Sequence, residues 1–422
     1  MSTIKHIWSR EILDSRGIPT VETACMLDSG AVSVSSVPAG TSTGSHESLE
    51  LRDTDNPRYM GQGVLKAVEN VNNVISTAIV GMDPTDQLSI DRKMVDLDGT
   101  ENKSKLGSNA ILSVSEVVAR SGAVANGKQL YDWIFTLASK GNITEKAKIP
   151  TPLFNMINGG LHGAGNLDFQ EFWVVPASNK SFSDGLQMGV EIYQTIGKNL
   201  AHRGAIHSVG QEGGYAPNLF TNADALEVFV ESISQTNYAL GRDVFLGLDV
   251  AANSFYRDGE YVIKDRTGGM DDNQFLEFYK GLYDQYKLAI LEDPFQEDAW
   301  ESWKKLYSTM SDSLTVVGDD LLATNPKRVQ KAIAERACNG AVIKPNQIGT
   351  ITETLNVIKM VKDAGWKVVV SHRSGETNDT FIADFAVGVA ADFIKSGAPA
   401  RGERVAKYNR LSAIETELSR AK

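Results

Sequence analysis

Six short apolar runs, each ending in polar or charged residues, constrain this 422-residue chain more than any other feature. They are VFLGLDV, LAILEDP, LTVVGDD, AVIKPNQ, KVVVSHRSGE and DFIKSGAP, ending around Asp249, Glu292, Asp319, Lys344, His372 and Lys395. The last five end points are spaced by 27, 25, 28 and 23 residues, room for one strand and one helix each time. Segments with helical apolar spacing, such as PKRVQKAIAERA and TETLNVIKMVKDAG, fill the intervals. Strands joined by helical crossovers run parallel, and strands apolar up to their ends are buried on both faces. A β/α barrel satisfies this and gathers the strand C-termini at one rim. A doubly wound open sheet satisfies it as well, and periodicity alone leaves both open.

This rhythm starts near residue 149, and a different one precedes it. KHIWSREIL and PTVETACML read as strands separated by DSRGI, a turn by composition. In GVLKAVENVNNVISTAIV the apolar residues Val64, Val68, Val71, Ile75 and Ile79 recur every three or four positions, predicting one helix with one buried face. Residues 106–125 and 129–138 also read as helices. The chain therefore reads as α/β, with an N-terminal α+β domain ending near residue 145 and a β/α repeat, barrel or open sheet, after it. GAVANGKQ nearly matches a phosphate loop, but Gln129 replaces the hydroxyl residue and the segment follows a helix pattern, so it reads as a glycine-capped helix end.

A chain this long exceeds one ordinary core, and 42% hydrophobic with 23% charged residues is a globular composition. A net charge of -11 argues against general binding to nucleic acid or anionic membranes, though a local field can still favour an anionic substrate. Cys25 and Cys338 are far apart and form no metal-type spacing, which points to a reducing compartment and to core-filling roles. MSTIKHIWSRE has no apolar signal region and no window approaches a spanning helix, so the expected location is cytoplasmic, without membrane insertion.

On a shared rim, Asp249, Glu292 and Asp319 would repel one another unless a hard divalent cation joined them, and an all-oxygen set favours Mg²⁺. Each carboxylate taken singly could equally cap a helix or hold an ion pair. Lys344, facing such a cation, could have its pKa depressed and serve as a general base, or could be a plain counter-ion. His372, Arg373 and Ser374 in SHRSGE, with Lys395 in IKSG, suit a phosphate or carboxylate. In VGQEGGYAPNL the glycine pair and Pro217 make a shaped loop, where Glu212 alone would read as a solvated carboxylate.

SREILDSRGIPTVE, SVPAGTSTGSHESLELRD, NMINGGLHGAGNLDFQEF, VGQEGGYAPNL, LEDPF, VGDDL, IKPNQIGT, SHRSGET and IKSGAPARGERVAKYN occur in that order. This colinear set, covering essentially the whole chain, resembles the enolase family. The resemblance implies an N-terminal α+β capping domain over 1–145 and a C-terminal β/α (TIM-like) barrel over 146–422 whose second strand is antiparallel, two Mg²⁺ ions per active site, and reversible dehydration of 2-phosphoglycerate to phosphoenolpyruvate. It implies that Asp249, Glu292 and Asp319 hold the first Mg²⁺ and that Ser42 contributes to the second. By the same resemblance Lys344 is the base and Glu212 the proton donor, while Gln170, Glu171, His162, His372, Arg373, Ser374 and Lys395 line the substrate. A homodimer or higher homo-oligomer is implied as well.

Three departures stand out: Gln211 where the family has aspartate, Ala39 where it has serine, and Ile18 where it has asparagine. They bear on substrate more than on reaction type. The alternatives are a related enzyme acting on a phosphonate analogue, of the carboxyphosphonoenolpyruvate synthase type, and an added binding role as a surface receptor or RNA-processing partner.

Overall fold

A computed structural model of the chain describes residues 2–40, 46–143, 145–163 and 165–420. The N-terminal part opens with an antiparallel meander of β1 (Ile4–Leu13), β2 (Pro19–Leu27) and β3 (Val32–Ser36). Ile4 and Ile7 are both buried although three residues apart, which a period of two forbids; a register shift between Ile4 and His6 resolves the conflict. The DSRGI turn forms as expected, with Asp14 Oδ1 accepting from the backbone N–H of Arg16 and Ile18 at 2.8 and 3.0 Å.

The helix expected over 64–79 is divided: α1 (Leu65–Glu69), a π-helical stretch Asn70–Ile75, and α2 (Ser76–Ile79). All five apolar positions are buried, so the predicted face is right. The wider turn lies where Asn72 exchanges hydrogen bonds with both backbone groups of Ser9 on β1, at 2.7 and 3.2 Å. Then come α3 (Gln87–Asp98), α4 (Ser108–Ala125) and α5 (Leu130–Lys140). GAVANGKQ is a helix end: α4 stops at Ala125 and Gly127 adopts φ +59°.

The chain continues through β4 (Thr151–Asn158), β5 (Glu171–Pro176), α6 (Phe182–His202), α7 (Asn222–Ser234) and β6 (Val244–Asp249). A small hairpin, β7 (Tyr256–Arg257) with β8 (Glu260–Tyr261), leads to α8 (Asp272–Tyr286), β9 (Leu288–Glu292), α9 (Trp300–Met310), β10 (Thr315–Gly318) and α10 (Pro326–Glu335). Last are β11 (Gly340–Ile343), the one-turn α11 (Pro345–Ile348), α12 (Ile351–Asp363), β12 (Lys367–Ser371), α13 (Phe381–Gly388), β13 (Phe393–Lys395) and α14 (Gly402–Arg420).

Strands β4, β5, β6, β9, β10, β11, β12 and β13 close into a barrel in that order. The open-sheet alternative is thereby excluded. β5 runs antiparallel to both neighbours and the other pairings are parallel, as the resemblance implied. Reversal of β5 places its first residue, Glu171, at the rim where its neighbours place their last.

Two apolar layers explain why the strands are hydrophobic to their ends. Leu153, Trp173, Val175, Ile290, Val317, Val342 and Val369 fill the barrel, while the main core lies between strands and helices and continues into the N-terminal part. A Cβ on Gly247 would stand 2.9 Å from the Trp173 ring, so glycine in VFLGLD makes room for that indole. Cys25 and Cys338 are buried and free. Among the described residues no helix is long and apolar enough to cross a membrane.

Candidate active site

Register aligns one row of the rim: Asn158 pairs with Glu171, Glu171 with Asp249, and Asp249 with Glu292. Lys395, ending β13, sends Nζ to 3.0 Å from Glu171 Oε1, 3.0 Å from Asp249 Oδ2 and 2.7 Å from Glu292 Oε1. Its ammonium also lies 5.0 Å from the Trp173 ring centroid, and Trp173 Nε1 donates to Glu171 Oε2 at 2.8 Å. Gln170 Nε2 donates to Asp249 Oδ2 at 3.1 Å.

One ammonium does not balance three buried carboxylates. Burial, then Asp249, push Glu292 well above the usual carboxylate range. Burial, then Glu212, bring Glu171 up to about 7. For Lys395, burial is outweighed by Asp249, Glu171 and Glu292, which hold its pKa well above the ordinary value. Asp249 Oδ1 and Glu292 Oε2 are buried with no hydrogen-bond partner among the described residues. Excess negative charge and orphaned oxygens in a dry site fit a hard divalent cation.

Asp319, one residue beyond β10, belongs to a neighbouring knot. Its carboxylate pairs with Lys344 Nζ, and Asp293 Oδ1 and Oδ2 accept from the backbone N–H of Asp319 and Asp320 at 2.9 and 2.8 Å. Carboxylate oxygens of Asp293, Asp319 and Asp320 lie within 4.8 Å of one another, a second grouping able to hold a metal. Of the two readings of Lys344, base facing a cation or counter-ion, the second describes its pairing with Asp319. Burial, Arg373 and Lys395 push the Lys344 pKa down, but the Asp319 carboxylate outweighs them and the pKa stands above its usual value.

The loop bearing Glu212 is shaped by close approach. A Cβ on Gly213, which has φ +87°, would lie 2.8 Å from the Ala400 carbonyl, and one on Gly214 would lie 2.7 Å from Asn158 Oδ1. The tight fit drives Glu212 inward, where it is 1% exposed. The solvated-loop alternative therefore fails. Asn155 Nδ2 donates to Glu212 Oε2 at 3.0 Å, His162 Nδ1 is 3.3 Å from Oε1, and His372 Nε2 is 3.5 Å from Oε2.

These neighbours divide the titration. For Glu212, burial would raise the pKa, but His162 and His372 win and hold it well below the carboxylate range. Burial pushes His162 down, yet Glu212, Glu171 and Asp249 leave it raised. His372 falls to about 4, burial being the main cause.

Arg373 is buried, with Nη1 donating to Glu47 Oε2 at 2.9 Å and to Asn346 Oδ1 at 3.0 Å. Ser374 Oγ accepts from Arg16 Nη1 at 3.3 Å. The N-terminal part thus reaches the mouth through Glu47 and Arg16, and Ala39 and Gly375 exchange backbone hydrogen bonds at 2.8 and 3.0 Å. Ile18 meets Asp14 through its backbone N–H. His162, Gln170, Glu171, Glu212, Asp319, Lys344, His372, Arg373, Ser374 and Lys395 all line one cavity of about 350 Å³. Ser42, expected at the second Mg²⁺, lies outside the described residues.

Sequence reasoning missed Asn155, Trp173, Asp293, Asp320, Glu47 and Arg404. Trp173 had a signal, since it lies two residues from Glu171 on the same strand face. The doublets in LEDP and VGDD marked Asp293 and Asp320 only as acidic. Asn155 and Arg404 lie near His162 and Lys395 in sequence, but their contacts with Glu212 and His372, like that of Glu47 with Arg373, are made only by folding.

A closed β/α barrel with buried acidic, lysine and histidine groups at its mouth, reached by the N-terminal part, has the layout of a barrel enzyme's active site. Residues 146–422 match the family model described as "Enolase, C-terminal TIM barrel domain", and residues 4–134 match the one described as "Enolase, N-terminal domain". The chain belongs to the enolase family.

Proposed function

We propose that the protein catalyses the Mg²⁺-dependent, reversible dehydration of 2-phosphoglycerate to phosphoenolpyruvate, as in glycolysis and gluconeogenesis. The observation carrying this reading is one cavity lined both by a lysine paired with a carboxylate, Lys344 with Asp319, and by a buried acid flanked by two histidines, Glu212 with His162 and His372.

The proton at C2, beside a carboxylate, is weakly acidic, and its removal creates a dianionic enediolate. A lysine or histidine base working with one or two Mg²⁺ ions is the established pattern of the enolase superfamily. In this reading Asp249, Glu292 and Asp319 would hold one Mg²⁺ and Ser42 would contribute to a second, and the bound ions would supply charge stabilisation for the enediolate. With Asp319 so engaged, Lys344 loses the partner that keeps it protonated, while burial, Arg373 and Lys395 still favour the neutral amine. Lys344 Nζ then takes the C2 proton. Hydroxide is a poor leaving group, so Glu212 delivers a proton to it, drawn from the proton shared between Glu212 and His162. Arg373, Ser374 and Lys395 bind the phosphate and carboxylate, helped by Gln170, Glu171 and His372.

Purified protein given 2-phosphoglycerate and Mg²⁺ should develop the enol absorbance of the product, and EDTA should abolish it. Lys344→Ala should lose both turnover and exchange of the C2 proton with solvent. Retained exchange in that variant would overturn the role of Lys344, and no turnover by the parent protein would overturn the substrate. Gln211 favours one competing substrate, a phosphonate analogue, whose preferential turnover would replace the present reading. Buried free cysteines support a cytoplasmic location, which we also propose.

A further inference from the structure

Arg404 lies in SGAPARGER, a motif of the family resemblance with no role so far beyond Lys395 just before it. It is among the largest fully buried side chains, 0% exposed. Its Nη1 stands 2.6 Å from His372 Nδ1 and donates to the Arg373 carbonyl at 2.8 Å. Its Nη2 donates to the carbonyls of Ser374 at 2.6 Å and Gln211 at 3.1 Å. One guanidinium thus joins the segment carrying His372 to the loop carrying Glu212.

A guanidinium has only donors and stays protonated, so the ring nitrogen facing it must present a lone pair. A neutral imidazole carries a single N–H, which must then sit on Nε2, the nitrogen 3.5 Å from Glu212 Oε2. A cationic ring would set two N–H donors face to face. We propose that Arg404 is a positioning residue that locks His372 in the neutral Nε2–H tautomer, giving the two histidines around Glu212 unequal tasks. His372 keeps its Nε2–H turned toward Glu212 Oε2, 3.5 Å away, and His162 alone exchanges a proton with Glu212. The catalytic part of this assignment rests on the proposed reaction; the tautomer does not.

The surroundings agree. His372 faces Glu212 from the 209–219 loop, Arg404 from α14 and Glu376 from its own segment, and its backbone N–H donates to the Lys395 carbonyl at 2.9 Å. Burial and Arg404 oppose the imidazolium, and the two carboxylates do not overcome them. Among the described residues no arginine is hydrogen-bonded to His162, and its carboxylate neighbours prevail.

The test is ¹⁵N NMR of histidine-labelled protein without substrate, with the His372 signal identified by its loss in His372→Gln. Between pH 6 and 8 Nδ1 should carry the shift of a non-protonated nitrogen and Nε2 that of an N–H. A cationic ring, or a proton on Nδ1, would overturn the proposal even if no Arg404 variant folds. In folded Arg404→Gln the ring should titrate measurably closer to its ordinary value of about 6.5. An unchanged, non-titrating ring would overturn the proposal. With 2-phosphoglycerate, kcat of that variant should fall about 10–100-fold, the usual range for a group that orients a ligand or acid, while KM moves less than about threefold. Equal losses in kcat and C2 exchange would overturn the catalytic part. A locked tautomer in a parent protein that does not turn over 2-phosphoglycerate would support the Arg404 assignment and overturn the reaction instead.

Discussion

Around Lys395 three buried carboxylates meet one ammonium, whereas around Glu212 one buried carboxylate meets two imidazoles. Burial raises carboxylate pKa in both places, yet Glu292 ends well above the ordinary range and Glu212 well below it. The difference lies in neighbour count and sign. An acidic excess is relieved by protons or by a bound cation, so the Lys395 cluster suits the cation we propose there. Glu212, flanked by histidines, is held ionised beside a His162 whose pKa is raised, an arrangement that suits the proton-donor role we propose for this cluster.

The largest effect should come from removing the ammonium. Lys395→Met leaves Glu171, Asp249 and Glu292 uncompensated, and breaking a buried pair in this way costs roughly 3–5 kcal/mol. Urea unfolding should show that loss in EDTA and a clearly smaller one in excess Mg²⁺, because a cation bound only by the folded state stabilises it. Equal losses in the two conditions would mean the cluster is no cation site.

Glu212→Gln attacks the other cluster. Dehydration should drop about 10²–10⁴-fold, the usual worth of a positioned acid, while C2 proton exchange stays detectable because abstraction comes first. If exchange and dehydration fall together, Glu212 serves the first step and the contrast between the clusters fails.

The third test follows stability with pH. His372 binds its proton more weakly in the fold, at about 4, than unfolded, at about 6.5. Its contribution is therefore fully present above about pH 6.5 and is lost as pH falls through about 4, up to roughly 3 kcal/mol. In His372→Gln that part of the acid slope should vanish. Urea midpoints from pH 7 to 4 with the same slope in both proteins would show that the two histidines do not differ.

Smallest is Gln211→Asp, which adds a half-buried negative charge next to Glu212 and favours its protonated form. The alkaline limb of kcat against pH, where the acid is lost, should move up by about half a unit. The acidic limb should move less. An unmoved alkaline limb would make Gln211 a packing residue rather than an electrostatic one.

Much of this molecule was decided by local pattern. The spacing of apolar runs set the strands β6 and β9 to β13 within a residue of where they end, because a strand buried on both faces must be apolar until it reaches the rim. The same rule put Asp249, Glu292, Asp319, Lys344, His372 and Lys395 at the mouth, and the glycine pair marked the Glu212 loop as shaped. Periodicity also placed the inward face of residues 64–79, but not the π-helical stretch, which lies at contacts with Ser9 some sixty residues earlier.

What only the tertiary structure decided is which charges become neighbours. Closure of the barrel and reversal of β5 bring Glu171 beside Asp249 and leave Lys395 to serve three carboxylates. Lys344 read in sequence either as a base facing a cation or as a plain counter-ion, and its pairing with Asp319 across strands holds its pKa above the usual value. Glu212 acquires His162 and His372 from two distant segments, and His372 acquires Arg404 from α14. Residue identity sets what a side chain can ionise to, whereas its pKa and tautomer depend on charges a few ångströms away, and those distances exist only in the folded chain.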